Sequence, residues 1–175
     1  LDLRGVSLSH DEFQLSIAGT GVGFGFAPTE EFVRRIDVLQ KLMYRTAEHK
    51  ADVPYRNSAS PPRELRDQLR VFMSVPRAAS LAVTLRVASD KDQSDLFPGR
   101  AADVIDEMMT RLQVFNEGHD AELQQRITDA SYHTNFVGLA RQLAPSGTQV
   151  RQVGLTAIRS GTERKVALTR RRDAI

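Results

Sequence analysis

A run in the middle of the chain, residues 80–88 (SLAVTLRVA), alternates between branched apolar residues and small or polar ones. A period of two places successive side chains on opposite faces of a β-strand, so the run predicts a strand with one buried face. Arg86 is the only charged residue on the other face, which is therefore open to solvent or lightly covered. Because helix-rich segments precede and follow it, we expect this strand to lie at the centre of a sheet.

Alternating runs near both ends of the chain predict two β-hairpins. Residues 1–8 and 12–18 form the first pair of runs, with a turn at residues 9–11. Residues 148–159 and 162–168 form the second pair, which turns at Ser160-Gly161. A two-residue connection with glycine is typical of tight hairpins.

The apolar residues of three other regions recur every three or four positions, as helices require. They predict one long helix from Thr29 to Lys50, a second helix that starts after Ser60 and includes Phe72, and three consecutive helices within residues 97–145. The predicted fold class is α+β, with a mainly antiparallel sheet packed against the long helix and the cluster of three helices. We expect one domain over residues 1–175, in which residues 97–145 could form a subdomain.

Glycine occupies every second position from Gly19 to Gly25, which invites comparison with phosphate-binding loops. A dinucleotide-binding turn needs the spacing G-x-G-x-x-G, and a P-loop needs a lysine and a hydroxyl residue after its last glycine. Neither pattern is present. A strand or bend with one glycine face is the favoured interpretation, and a ligand-binding loop is the alternative.

The absence of cysteine excludes disulfide frameworks, thiolate nucleophiles and cysteine-ligated zinc. It is compatible with a reducing compartment, and we expect a cytoplasmic location. No apolar run approaches the roughly 20 residues that a membrane-spanning helix needs, so no membrane partner is expected. Because the sequence begins at Leu1 and not at Met, we expect the natural chain to be longer.

No short motif of catalysis or metal binding is present. The four histidines lack the H-E-x-x-H spacing of zinc enzymes, and no serine has the G-x-S-x-G context of a hydrolase. We therefore expect no cofactor, no metal and no catalytic residue, and favour a protein that is not an enzyme. A hydrolase whose residues are assembled only in space remains the third hypothesis.

Charge is distributed unevenly along the chain. Residues 89–129 carry ten acidic and four basic residues, whereas residues 147–175 carry two acidic and seven basic residues. Such segments attract each other or bind an oppositely charged partner. The leading hypothesis is a non-catalytic protein–protein interaction or scaffold module, which could self-associate through these segments. The alternative is an accessory nucleic-acid-binding domain that uses Arg164, Lys165, Arg170, Arg171 and Arg172 for phosphate contacts.

Overall fold

The computed structural model describes residues 8–19, 29–57, 62–73, 82–88, 100–145 and 150–169. These residues form an α+β fold with an antiparallel sheet, as the sequence predicts. The helices are α1 (Thr29–Lys50), α2 (Arg63–Gln68), α3 (Arg100–Asn116), α4 (Asp120–Arg126) and α5 (Ala130–Leu143). The strands are β1 (Glu12–Ala18), β2 (Arg70–Met73), β3 (Ala82–Ala88), β4 (Gln152–Arg159) and β5 (Thr162–Thr169).

The five strands lie in the order β2-β3-β1-β4-β5, and all neighbouring strands are antiparallel. Alternation in the sequence decides which face is buried. Phe13 and Leu15 of β1, Leu85 of β3 and Leu155 of β4 are completely buried on what we call the inner face. None of the described residues on the opposite, outer face is buried.

The helices pack together on the inner face of the sheet, in one layer that shares a hydrophobic core with the strands. α1 contacts both α3 and α5, and α3 lies against β4 and β5. On α1, Leu39, Leu42 and Met43 have at most 1% of their surface exposed, because the apolar stripe of this helix faces the core. Burial of so many apolar side chains is the main source of stability in such a layer.

Arg35 of α1 is fully buried and joins the beginning of α1 to the end of α5. Its Nε donates a hydrogen bond to the Leu143 carbonyl (2.9 Å), and its Nη2 donates one to the Ala144 carbonyl (3.2 Å). It also pairs with Glu31, one turn earlier on α1. The last carbonyls of a helix lack partners within the helix, so this guanidinium satisfies groups that burial would otherwise leave unpaired.

The carboxyl-terminal hairpin agrees with its prediction. Arg159 is paired with Thr162 across Ser160 and Gly161, whose φ angles are 50° and 76°. Positive φ at both residues is the signature of a type I′ turn, whose twist matches that of the flanking strands.

One detail of the predicted sheet is wrong. The strand predicted at residues 80–88 exists as β3, but the middle position belongs to β1, which has β3 on one side and β4 on the other. The predicted amino-terminal hairpin pairs residues 12–18 with residues 1–8, and of the latter residues 1–7 lie outside the described part of the chain.

The second predicted helix is shorter than expected. α2 ends at Gln68, and Arg70–Met73 form the edge strand β2, so Phe72 belongs to a strand. Most of the glycine-rich run, residues 20–26, lies outside the described residues, as do the residues between β3 and α3.

Candidate functional site: the outer face and the two edges of the sheet

The outer face of the sheet carries short uncharged side chains in its middle and charged ones near one end. Gln14, Ser16, Thr84 and Thr156 lie on adjacent strands and are half-buried only. Near Gly154 the face is tight: a Cβ atom built on this glycine would lie 2.5 Å from the Ser16 Oγ. Ser16, Thr84 and Thr156 have short side chains that lose little conformational entropy when they are covered, but any cover would have to satisfy their hydroxyl groups with hydrogen bonds.

At the charged end, Arg86 of β3 links its strand to the beginning of β1. Its Nη2 lies 3.4 Å from Glu12 Oε1, and its Nε lies 4.0 Å from Asp11 Oδ2. Partial burial acts to raise the pKa of Glu12, but hydrogen bonds from Ser9 and the contact with Arg86 outweigh it and lower this pKa below its usual value. Glu12 is therefore a carboxylate that stabilises the junction of β1 and β3.

The orientation of β2 follows from one hydrogen bond of β3. The Val87 N–H donates to the Asp11 carbonyl next to β1 (2.9 Å), so Val87 faces β1 and its neighbours along β3 face β2. Arg70 and Phe72, which are opposite Ala88 and Arg86, therefore exchange hydrogen bonds with β3. The backbone groups of the alternate residues, Val71 and Met73, consequently point away from the sheet.

Two side chains of this edge are apolar and exposed. Phe72 is 42% exposed and Met73 is 58% exposed, and the Arg70 guanidinium lies over the Phe72 ring, 5.6 Å from its centre. Within the described ranges, β3 is the only strand beside β2. An apolar edge of this kind is a template for pairing with another strand.

The opposite edge, formed by β5, is covered by a side chain. The tight turn makes Arg159 and Thr162 a hydrogen-bonded pair, so the odd-numbered residues of β5 direct their backbone groups outward. Asn116, the last residue of α3, takes two of these groups. Its Nδ2 donates to the Ala167 carbonyl (3.0 Å), and its Oδ1 accepts from the Thr169 N–H (3.2 Å). The amide thereby occupies the place of a neighbouring peptide.

The structure separates the residues proposed for phosphate or partner contact. Arg164 faces α3, where its Nη1 donates to Asp106 Oδ1 (2.8 Å) and its Nη2 to Gln113 Oε1 (3.1 Å). Lys165 lies on the outer face, 70% exposed, with its Nζ 3.5 Å from Glu163 Oε1. Arg170, Arg171 and Arg172 lie outside the described residues.

The acidic helical segment and the basic hairpin contact each other within one chain. Asp106 of α3 binds Arg159 through Oδ2 (3.0 Å) and Arg164 through Oδ1. Part of the charge asymmetry in the sequence is therefore satisfied inside the fold.

The β2 edge is a candidate site that was not predicted from the sequence. The short run of residues 70–73 shortly before a proline could have indicated an edge strand.

The described part of the chain contains no group of three or more histidine, aspartate or glutamate side chains that could hold a metal ion. Within the same ranges, no helix is both long enough and apolar enough to cross a membrane.

Comparison with known proteins gives no match to a family model, a curated protein or a solved structure.

Proposed function

We propose that the chain is a non-catalytic protein-interaction module of the cytoplasm, which binds an extended segment of a partner protein along the β2 edge. The observation that carries the proposal is the apolar edge of β2, where Phe72 and Met73 are exposed. Addition of a strand to a sheet edge is a common mode of peptide recognition, in which backbone hydrogen bonds give affinity and side chains give specificity.

The chemistry of the edge indicates what the segment would look like. On the inner-face side, Val71 and Met73 offer apolar contact to an apolar residue of the partner. On the outer-face side, a partner residue would meet Phe72 and the Arg70 guanidinium that lies over its ring, and the positive charge of Arg70 favours an acidic residue. The expected partner is an extended segment in which apolar and acidic residues alternate, because successive residues of a strand face opposite sides.

The size of the edge limits the affinity. β2 has four residues, and two of them direct their backbone groups outward. Such a contact buries less area than a standard interface of about 1,600 Å². We expect dissociation constants on the order of micromolar, which correspond to about −8 kcal/mol.

The test uses proline to remove one outward N–H without touching the hydrogen bonds to β3. Extended peptides are selected from a display library on the natural chain, and their affinities are then measured for two variants. Met73→Pro blocks the β2 edge, whereas Lys165→Pro blocks the β5 edge at an equivalent outward-facing position and is the matched control. Proline is tolerated at such edge positions because its missing N–H faces outward.

We expect the selected peptides to alternate apolar and acidic residues, and to lose at least tenfold in affinity for Met73→Pro alone. Equal affinity for both variants would contradict the proposal. If the natural chain is dimeric and the Met73→Pro variant is monomeric, the partner at the β2 edge is a second copy of this chain.

The nucleic-acid hypothesis is tested in parallel with labelled random-sequence DNA and RNA over a series of salt concentrations. Binding that falls steeply with salt, and that is lost when Arg170, Arg171 and Arg172 are replaced by alanine, would favour that hypothesis instead.

A further inference from the structure

A partly buried arginine–histidine contact joins α1 and α3 at the end of the helical layer away from Arg35. Arg111 of α3 is 4% exposed, and its Nη2 lies 2.7 Å from Nδ1 of His49, which stands one residue before the end of α1. This distance is that of a strong hydrogen bond between nitrogen atoms.

The protonation state of His49 follows from the chemistry of its partner. A guanidinium has five N–H donors, no acceptor, and stays protonated in proteins. Nδ1 of His49 must therefore accept the hydrogen bond, which requires that its lone pair be free and that the ring proton sit on Nε2. A second proton on Nδ1 would place two donors and two positive charges face to face.

The surroundings hold both groups in this arrangement. Glu107 Oε1 accepts from Arg111 Nε (3.0 Å), and Arg126 of α4 lies 3.3 Å from the other oxygen of Glu107. The His49 ring packs against the Tyr132 ring of α5, with centroids 4.9 Å apart. The charged and titratable groups whose fields reach His49 are Arg111 and Glu107 from α3, Asp52 from the loop after α1, and Asp129 at the start of α5.

The same cluster secures the segment after α1. The Tyr132 hydroxyl donates to the Val53 carbonyl (2.6 Å), and the Tyr55 ring meets the Tyr132 ring edge-on. Burial, with a smaller contribution from Glu48, raises the pKa of Tyr132 to about 12, so the hydroxyl remains a donor at neutral pH. His49, Tyr132 and Val53 thus connect α1, α5 and the loop.

We propose that the His49–Arg111 contact is a proton-operated latch: it holds residues 49–57 against α3 and α5 while His49 is neutral, and it opens when His49 takes up a second proton. Loss of the hydrogen bond to Arg111 removes the attachment of the ring, and repulsion from the buried guanidinium displaces it from Tyr132. The segment after α1 then loses its packing while the sheet is retained.

The direction of the pH dependence follows from the pKa of His49. Burial lowers this pKa below its ordinary value of 6.5, Arg111 lowers it further, and the carboxylates of Asp129, Asp52 and Glu107 oppose the shift. The unfolded chain therefore binds the proton more readily than the folded chain. The contribution of neutral His49 to the free energy of unfolding is complete above about pH 6.5, and it falls as the pH decreases from there to the folded pKa.

Two measurements on the full chain test the latch. Nitrogen-15 NMR of the histidine rings reports which nitrogen of His49 carries the proton. Denaturant unfolding between about pH 7.5 and pH 5 compares the natural chain with His49→Gln, whose amide offers Arg111 an uncharged acceptor and takes up no proton in this range. His119→Gln is the matched control, because the side chain of His119 is 57% exposed and outside the cluster.

We expect the neutral His49 ring to carry its proton on Nε2. Relative to His49→Gln, the folding equilibrium constant of the natural chain should fall by up to tenfold per pH unit below about pH 6.5, the limit for one proton. His119→Gln should follow the natural chain. In the same range, exchange protection of the Val53 amide, which donates to the Glu48 carbonyl, should be lost before that of Leu155 in β4.

A proton on Nδ1 of neutral His49, or parallel pH profiles for the natural chain and His49→Gln, would overturn the proposal. Simultaneous loss of protection at Val53 and Leu155 would do the same, since it would mean global unfolding and no latch. If His49→Gln does not fold, the NMR and exchange measurements on the natural chain decide alone.

Discussion

The two edges of the sheet differ in how their outward backbone groups are treated. At β5, the side chain of Asn116 bonds Ala167 and Thr169, and Glu163 and Lys165 add charge. At β2, the residues beside the outward groups are the exposed Phe72 and Met73. Charged residues and covering groups are the usual means by which proteins prevent strands from pairing with other chains. The molecule covers the β5 edge with a side chain of α3, whereas the β2 edge exposes Phe72 and Met73 beside Arg70.

The β5 edge is therefore part of the internal packing of the fold, whereas the β2 edge is the candidate site for contact with another chain. α3 holds the β5 side through Asp106, Gln113 and Asn116, so its polar face is occupied by its own sheet. Asp106 of this helix thus joins the acidic segment to the basic hairpin. Three substitutions test the difference between the two edges, and the first should have the largest effect.

Replacement of Asp106 by alanine should weaken the β5 side most. Arg159 and Arg164 would both lose their carboxylate, and Arg164 would remain partly buried beside α3. We expect a loss of about 1–3 kcal/mol in the free energy of unfolding, measured by denaturant titration. Asp103→Ala, on an exposed position of the same helix, is the control and should change little. Equal stability of both variants would mean that Asp106 does not anchor the hairpin.

Replacement of Asn116 by alanine should make the two edges alike. The Ala167 carbonyl and the Thr169 N–H would lose their partner, at a cost of about 1 kcal/mol in stability. The uncovered edge should also increase self-association, measured by sedimentation velocity over a range of concentrations. Gln125→Ala, on the exposed surface of α4, serves for comparison. A variant as monomeric as the natural chain would show that charge alone protects β5.

Replacement of Glu12 by glutamine tests the contact between β1 and β3, the strand beside β2, and should have the smallest effect. Because the pKa of Glu12 is lowered in the folded chain, its contribution to stability is present above the ordinary value of 4.5 and is lost as the pH falls through the folded pKa. We expect a loss of a few tenths of a kcal/mol at pH 7, typical of a pair that is partly exposed. The two unfolding curves should converge in acid. A constant difference down to pH 3 would contradict this assignment.

The sequence predicted the elements of the fold better than their arrangement. Period-two alternation is a local signal, and it found β1, β3 and the hairpin of β4 and β5. The position of β1 between β3 and β4 depends on pairings between residues far apart in the chain, such as Phe13 with Ala157, and no local pattern contains them.

The candidate site was predicted less well. Phe72 fits the spacing of a helical stripe with Leu65 and Leu69, but its own helix ends before it, and β3 recruits residues 70–73 as an edge strand. Tertiary context decided between two periodicities that four residues cannot distinguish. The contact between Asn116 and β5, and that between His49 and Arg111, involve single side chains without any sequence motif.

The position of β1 also has a consequence for how the chain is assembled. Among the described elements, β1 precedes its neighbour β3, whereas β4, which completes its other side, follows only after the five described helices. Contacts of such long range are slow to form, because a large loop must close before they contribute. Until β4 has been synthesised, one side of β1 lacks the strand that covers it in the described sheet, and other chains could pair with it. Protection of the sheet during synthesis therefore depends on when β4 is made, a dependence that the finished fold does not show.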